Sequence, residues 1–103
     1  MTTVQLRHYH VERGRMADFL AWFPAIVPVR EQFGFRVPFA FADHEHDTFT
    51  WAVELDGDAD RFHEVEATYL ASPERAAAFE TFPDCLTSTE VGLAEDVLAP
   101  SGT

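Results

Sequence analysis

Along this 103-residue chain the apolar residues switch between a two-residue and a helical period in a definite order, and that order limits the folds open to it. Val4, Leu6, His8 and His10 alternate with Gln5, Arg7, Tyr9 and Val11, as in a strand. After the turn at Glu12-Arg13-Gly14, the residues Met16, Phe19, Leu20, Phe23 and Val27 form one helical stripe. Pro24 and Pro28 lie inside it. Each removes a backbone donor and crowds the preceding turn, so a kink or two shorter helices is expected. Gly34 is placed to close the helix. Phe35, Val37, Phe39 and Phe41 then alternate with Arg36, Pro38, Ala40 and Ala42 as a second strand, in which Pro38 marks an edge or a bulge. Asp43 to Asp47 (DHEHD) reads as a hairpin loop. Thr48 to Leu55 reads as a third strand with Phe49, Trp51, Val53 and Leu55 on one face. The turn Asp56-Gly57-Asp58 leads into a helix over about residues 59–71, with Phe62, Val65, Glu66, Tyr69 and Leu70 on one side. Ser72-Pro73 restarts a shorter helix, serine as cap and proline in the first turn, continuing to about Phe82. Thr87 to Leu98 reads as the last strand, with Val91, Leu93 and Val97 on one face, and Ala99 to Thr103 as a frayed end.

Strand, helix, strand, strand, helix, strand describes an α+β, ferredoxin-like split βαβ domain over residues 1–103: one four-stranded antiparallel sheet with helices on one face. The other face is then bare, and it carries apolar residues. Hydrophobic residues make up 47% of the chain, ten of them Phe, while a domain of this size buries only roughly 60–70% of its unfolded surface. A second copy, sheet against sheet under two-fold symmetry, is the simplest cover, so a homodimer is expected.

The formal charge of −11 makes nucleic acid and anionic membranes poor partners. The N-terminal MTTVQLRHYH lacks the basic and apolar regions of a signal peptide. The longest nearly uncharged stretch, Phe19 to Val29, is too short to span a bilayer, and a cytoplasmic protein is expected. The one cysteine, Cys85, cannot build a disulfide framework and reads as an ordinary thiol rather than a nucleophile. All seven basic residues are arginines, which hold their charge when buried and can grip a carboxylate with two hydrogen bonds.

Several ordered fragments resemble the NIPSNAP-like proteins, a branch of the dimeric α+β barrel superfamily. They are Leu6-Arg7 with Tyr9 and Gly14; Pro28, Arg30 and Gly34-Phe35-Arg36-Val37; Phe49, Trp51 and Asp56-Gly57-Asp58; and Tyr69 with Ser72-Pro73-Glu74-Arg75. The resemblance covers about Gln5 to Leu98. It implies a dimer whose two sheets form a barrel, with a small-molecule cavity between each sheet and its helices. It does not imply one reaction, since the superfamily holds cofactor-free monooxygenases, cyclases, haem-degrading enzymes and isomerases. Pro24, His8 and His10 depart from the usual family pattern, and Asp84 to Thr89 carries no family signature.

The candidate chemistry lies in a few polar side chains. His8 and His10 share one strand face and can move protons, or bind a metal if His63 or Glu66 adds a ligand. Equally, they can line a pocket or an interface without metal. His44 and His46 flank Glu45 in a loop that reads as a solvated turn. Arg7 and Tyr9 face the other way; Arg7 could steady an oxyanion or pair with Glu54 or Glu90 across the sheet. Tyr69 matches the tyrosine of related polyketide cyclases, but Arg75 stands where their histidine does, and an arginine cannot readily act as a base. His10 or His63 is then the candidate base, with Tyr69 and Arg7 as oxyanion stabilisers. His8, Tyr9, Trp51 and Arg75 are expected to contact substrate, Trp51 by stacking on an aromatic ligand. No organic cofactor and no metal is assigned. The expected function is cofactor-independent cyclase, isomerase or monooxygenase chemistry on an apolar, aromatic or polyketide-like molecule. The alternative is a non-catalytic dimeric module that binds a ligand or a protein.

Overall fold

The chain forms the ferredoxin-like α+β sheet in a computed structural model that describes residues 1–98. In chain order the elements are β1 (Thr2–Val11), α1 (Met16–Trp22), a 3-10 turn (Phe23–Ala25), α2 (Ile26–Gln32), β2 (Ala40–Asp43), β3 (Thr48–Asp56), α3 (Ala59–Leu70), α4 (Pro73–Phe79) and β4 (Leu86–Ala94). The strands pair antiparallel in the order β2-β3-β1-β4. The last strand stops at Ala94, short of the expected Leu98, and the expected frayed end, Ala99 to Thr103, lies outside the described residues. No helix is long and apolar enough to cross a membrane among the described residues.

The two prolines divide the first helix as anticipated. Pro24 occupies the 3-10 turn, and Pro28 falls in the first turn of α2, where its missing N–H has no intrahelical partner to lose. The break redirects the apolar stripe. It continues from Phe19 and Phe23 through Ile26 and Arg30, both buried, while Val27 is only half-buried. Gly34, at φ +96°, then closes α2. The Phe35 amide donates to the Arg30 carbonyl at 3.3 Å and the Gly34 amide to Glu31 at 3.0 Å, the paired bonds of a Schellman motif. Asp58 caps α3 by accepting from the Arg61 amide at 2.9 Å, and Ser72 caps α4 by accepting from Arg75 at 3.2 Å.

One face of the sheet, with Tyr9 and Val11 of β1 and Phe49, Trp51, Val53 and Leu55 of β3, packs on the helices. Phe19 stands edge-on to Phe49 at 4.9 Å between ring centres, and Phe23 lies 5.0 Å from Trp51. Trp22 donates its indole N–H to the Ala78 carbonyl at 2.8 Å and packs edge-on against Phe79 and Phe82, which fastens α1 to α4. Buried aromatic pairs of this kind contribute about 0.5–1.5 kcal/mol each beyond their buried area.

The second strand differs from its expected form. Only Ala40–Asp43 pairs continuously with β3, and Arg36 makes a separate bridge to Glu54. Between the pairs Arg36–Glu54 and Ala40–Trp51 the outer strand advances four residues while β3 advances three. This extra residue, beside Pro38, is a bulge, and it inverts the alternation. Phe35 therefore enters the core, whereas Phe41 pairs with Thr50 on the helix-free face, 66% exposed and stacked on Phe39. The expected single face of Phe35, Val37, Phe39 and Phe41 is divided between the two sides of the sheet.

Phe35→Ala should lower the unfolding free energy by about 3–5 kcal/mol, the usual loss for a buried phenylalanine. Phe41→Ala should change it by no more than about 0.5 kcal/mol in urea titrations at high dilution. Equal losses would mean that both rings share one core.

Candidate functional site

Between the helix-covered face of the sheet and the helices lies a cavity of about 220 Å³. Its walls are mostly aromatic: Tyr9 and Trp51 from the sheet, Phe19 and Trp22 from α1, Phe23 from the 3-10 turn, Tyr69 from α3, and Phe79 and Phe82 beyond it. Leu70, 50% exposed, and the exposed Thr89 also border it and mark where it reaches solvent. Into this apolar lining project three guanidinium groups, from Arg7, Arg30 and Arg75.

Each arginine is positioned by a different element. Arg7 shares the inward face of β1 with Gln5 and Tyr9 because all three are two residues apart. Its Nε donates to the Tyr9 hydroxyl at 2.7 Å and its Nη1 to Gln5 Oε1 at 2.6 Å. Gln5 Nε2 in turn donates to Glu66 Oε2 at 3.1 Å. Arg30, in the last turn of α2, is 2% exposed. Its guanidinium lies 4.0 Å from the centre of the Tyr69 ring and 5.0 Å from that of Phe35. Arg75, in the first turn of α4, sits 4.1 Å over Phe79. Arg7 lies 5.5 Å from the centre of the Trp51 ring and 5.8 Å from that of Tyr9, so cation–π contacts hold all three cations.

The charges do not balance. Glu66 approaches Arg7 at 3.8 Å and Arg30 at 3.9 Å, and among the described residues it is the only carboxylate paired with any of the three. Among the described residues four buried side-chain nitrogens lack a hydrogen-bond partner: Nε and Nη1 of Arg30, Nε of Arg75 and Nε1 of Trp51. All four are donors and all belong to residues that line the cavity. Burial pushes the Arg30 guanidinium below its ordinary value, an effect that neighbouring Arg7 reinforces and Tyr69 and Glu66 oppose. A guanidinium nevertheless remains charged at neutral pH. Burial pushes the Tyr69 phenol upward, against the pull of Arg30 and Arg75, so it stays protonated near neutrality.

The structure brings together Arg7, Tyr9, Trp51, Tyr69 and Arg75 from the residues singled out in the sequence. It does not bring the histidines to them. His8 and His10 lie on the helix-free face, where His8 Nδ1 meets Thr50 Oγ1 at 2.7 Å and the two imidazoles stand 5.3 Å apart. His63 is exposed on α3. Neither His10 nor His63 borders the cavity, because the pleat sends even-numbered β1 residues away from the helices and His63 lies off the buried side of α3. Glu66 points to Arg7 and Arg30, across the sheet from His8 and His10, so the suggested His-Glu grouping does not assemble. Among the described residues no group of three or more His, Cys, Asp or Glu side chains is placed to hold a metal ion.

Three other expectations are settled by position. Arg7 does not pair with Glu54 or Glu90: these face the helix-free side, where Glu54 pairs with Arg36 at 2.9 Å. His44 and His46 are exposed, and His46 Nδ1 meets Asp43 Oδ2 at 2.8 Å within the turn itself. Cys85 is buried, and burial pushes its thiol upward, away from a nucleophile's range. Arg30, in contrast, was not singled out as a site residue. Its signal was an arginine at i+4 from Ile26 and i+7 from Phe23, on an apolar helical stripe.

No family model matches the chain, and no curated protein is detectably similar to it. Solved structures are similar in fold. A NIPSNAP family protein of unknown function from Agrobacterium tumefaciens aligns over 90% of this chain and 86% of its own, with 12% identity and a TM-score of 0.79. A NIPSNAP domain protein from Burkholderia xenovorans aligns over 97% and 99%, with 16% identity and a TM-score of 0.80. A variant of SnoaB, a cofactor-independent oxygenase from Streptomyces nogalater, aligns over 95% of each chain, with 14% identity and a TM-score of 0.70. The chain has the fold of the NIPSNAP family proteins, and at that level the resemblance read from its sequence is borne out.

A buried charge with unpaired donors weakens a fold rather than supporting it. Arg30→Met, which keeps the length and apolar contacts of the side chain, should leave the thermal midpoint unchanged or raise it by a few degrees in calorimetry. A drop corresponding to more than about 2 kcal/mol would make Arg30 a structural residue.

Proposed function

We propose that this protein binds a small aromatic molecule in the cavity between its sheet and helices and acts on it without an organic cofactor. The observation that carries the reading is the aromatic-walled cavity itself, bordered by a few convergent polar groups. Its volume of about 220 Å³ suits one substituted ring, since a cavity of about 150 Å³ is enough for benzene. It is small for a fused polyketide skeleton. The likeness in fold to a cofactor-independent oxygenase supports the same class of chemistry.

Arg7 and Tyr69 can steady negative charge that develops on the bound molecule, and Tyr9, Trp51 and Arg75 can position it. Among the described residues the cavity walls carry neither histidine nor carboxylate. The chemistry best suited to them starts from a substrate that loses its own proton near neutral pH, such as an acidic phenol or enol. The proposal gives no role to His8, His10 or His63. The same lack of a wall-borne base favours, as a second reading, a module that binds its ligand without turning it over.

The helix-free face supports a second element of the proposal, a homodimer. Leu6 is 41% and Phe41 66% exposed there, with half-buried Val4 and Phe39 beside them. A contiguous apolar patch on one side of a sheet calls for a cover, and an isologous pairing supplies it.

Saturation-transfer NMR with toluene, p-cresol and benzamide should report binding to the native chain. Ile26→Phe, which fills the cavity from α2, should abolish it while the far-ultraviolet circular dichroism is retained. No signal from any of the three compounds would remove the pocket from consideration. Sedimentation equilibrium at micromolar concentration should give twice the chain mass, and Leu6→Asp should give the mass of one chain. A folded native monomer under those conditions would contradict the dimer.

A further inference from the structure

We propose that the ligand of this cavity is an aromatic acid and that Arg30, flanked by Arg75 and Trp51, receives its carboxylate. The inference rests on the cavity being a ligand pocket and goes on to specify what the pocket selects.

Three observations lead to it. First, Arg30 is a charged side chain of which only 2% is exposed, yet its Nε and Nη1 make no hydrogen bond, and Nη1 approaches Glu66 only to 3.9 Å. Leaving a charged donor unpaired in an apolar surrounding is among the more destabilising arrangements a protein can hold, which points to a role beyond folding. Second, the imbalance has one sign. Arg30 Nε and Nη1, Arg75 Nε and Trp51 Nε1 are all donors, and no buried side-chain acceptor is left without a partner among the described residues. A ligand group that offers acceptors and no donors answers this pattern, and an ionised carboxylate offers about four acceptor sites and no donor. Third, the net charge agrees. Arg7, Arg30 and Arg75 border the cavity while Glu66 alone pairs with them, so the walls carry an excess of positive charge in a chain whose formal charge is −11. An acidic surface with one cationic interior concentrates its attraction for anions at that single place.

The aromatic part of the ligand follows from the remaining wall. Trp51, Phe23 and Phe79 offer ring faces and edges, and the cations are themselves held against rings. A benzoate-sized acid fits the volume, with its ring among the aromatic side chains and its charge toward α2. A neutral molecule of the same shape leaves the excess charge unanswered.

Benzoate and its neutral isostere benzamide provide the test. Their affinities for the native full-length chain can be measured by following backbone amide shifts in titrations to millimolar ligand. Benzoate should bind at least about tenfold more tightly than benzamide, as expected for charge-assisted hydrogen bonds in a largely enclosed site. Arg30→Met should bring the ratio near one while benzamide still binds, and Arg75→Gln should reduce it in part. Benzamide binding as well as benzoate to the native chain would overturn the anion inference and leave the pocket standing. Failure of both to bind would overturn the inference together with the pocket. Because the native comparison needs no variant, a failure of Arg30→Met to fold does not remove the test.

Discussion

A guanidinium stacked 4.0 Å above a tyrosine ring, inside the protein, sets the chemical character of the cavity on which the rest of the site depends. Arg30 comes from α2, Tyr69 from α3, Phe35 from the segment after α2, and Trp51, 5.8 Å away, from β3. One side chain therefore joins α2 to α3 and to the sheet. The Arg30 carbonyl also accepts the closing bonds of α2, from Phe33 at 3.1 Å and Phe35 at 3.3 Å. The turn that places Phe35 in the core is thus built on the same residue whose side chain enters the cavity. Packing against rings lets a cation be buried with few hydrogen bonds, and the unmet donors that result give the cavity its chemical character.

The two faces of the sheet are separated with equal economy of means. Odd-numbered residues of β1 look toward the helices and even-numbered residues look away. That places Arg7 and Tyr9 at the cavity and His8 and His10 on the far side, although all four are consecutive. Beside Pro38, one extra residue in the outer strand turns Phe39 and Phe41 to the far side as well. The helix-free face so gains two aromatic rings next to Leu6 and Val4, which is the physical basis for expecting a second copy there.

The parts of this architecture visible in the sequence are those set by local chemistry. The two periodicities, Gly34 as a helix stop, the turn at Asp56-Gly57-Asp58, Ser72 as a cap, and the break at Pro24 each follow from a few neighbouring residues, and each stands as read. What stayed hidden depends on phase. A bulge of one residue near Pro38 reverses which side Phe41 faces, and no local signal states on which residue the slip occurs. The kink at residues 23–25 likewise moves the buried stripe from Val27 to Ile26 and Arg30. Arg7, Tyr9, Trp51, Tyr69 and Arg75 border one cavity, but which strand face lines it was not legible from the sequence, and Tyr69 and Arg75 were singled out through the family resemblance. The histidines invited a reading from chemistry alone, and parity, applied to His10, already sends it to the face opposite Tyr9.

Arg30 is buried, charged and incompletely paired. Side-chain Nε–Hε resonances in 15N-correlated NMR spectra, assigned through the resonance lost in Arg30→Met, report directly on that group. The Arg30 resonance should be protected from exchange with water and should move when a carboxylate ligand is added. A resonance that exchanges freely with water and stays fixed as the carboxylate is added would contradict both the burial and the role assigned to it.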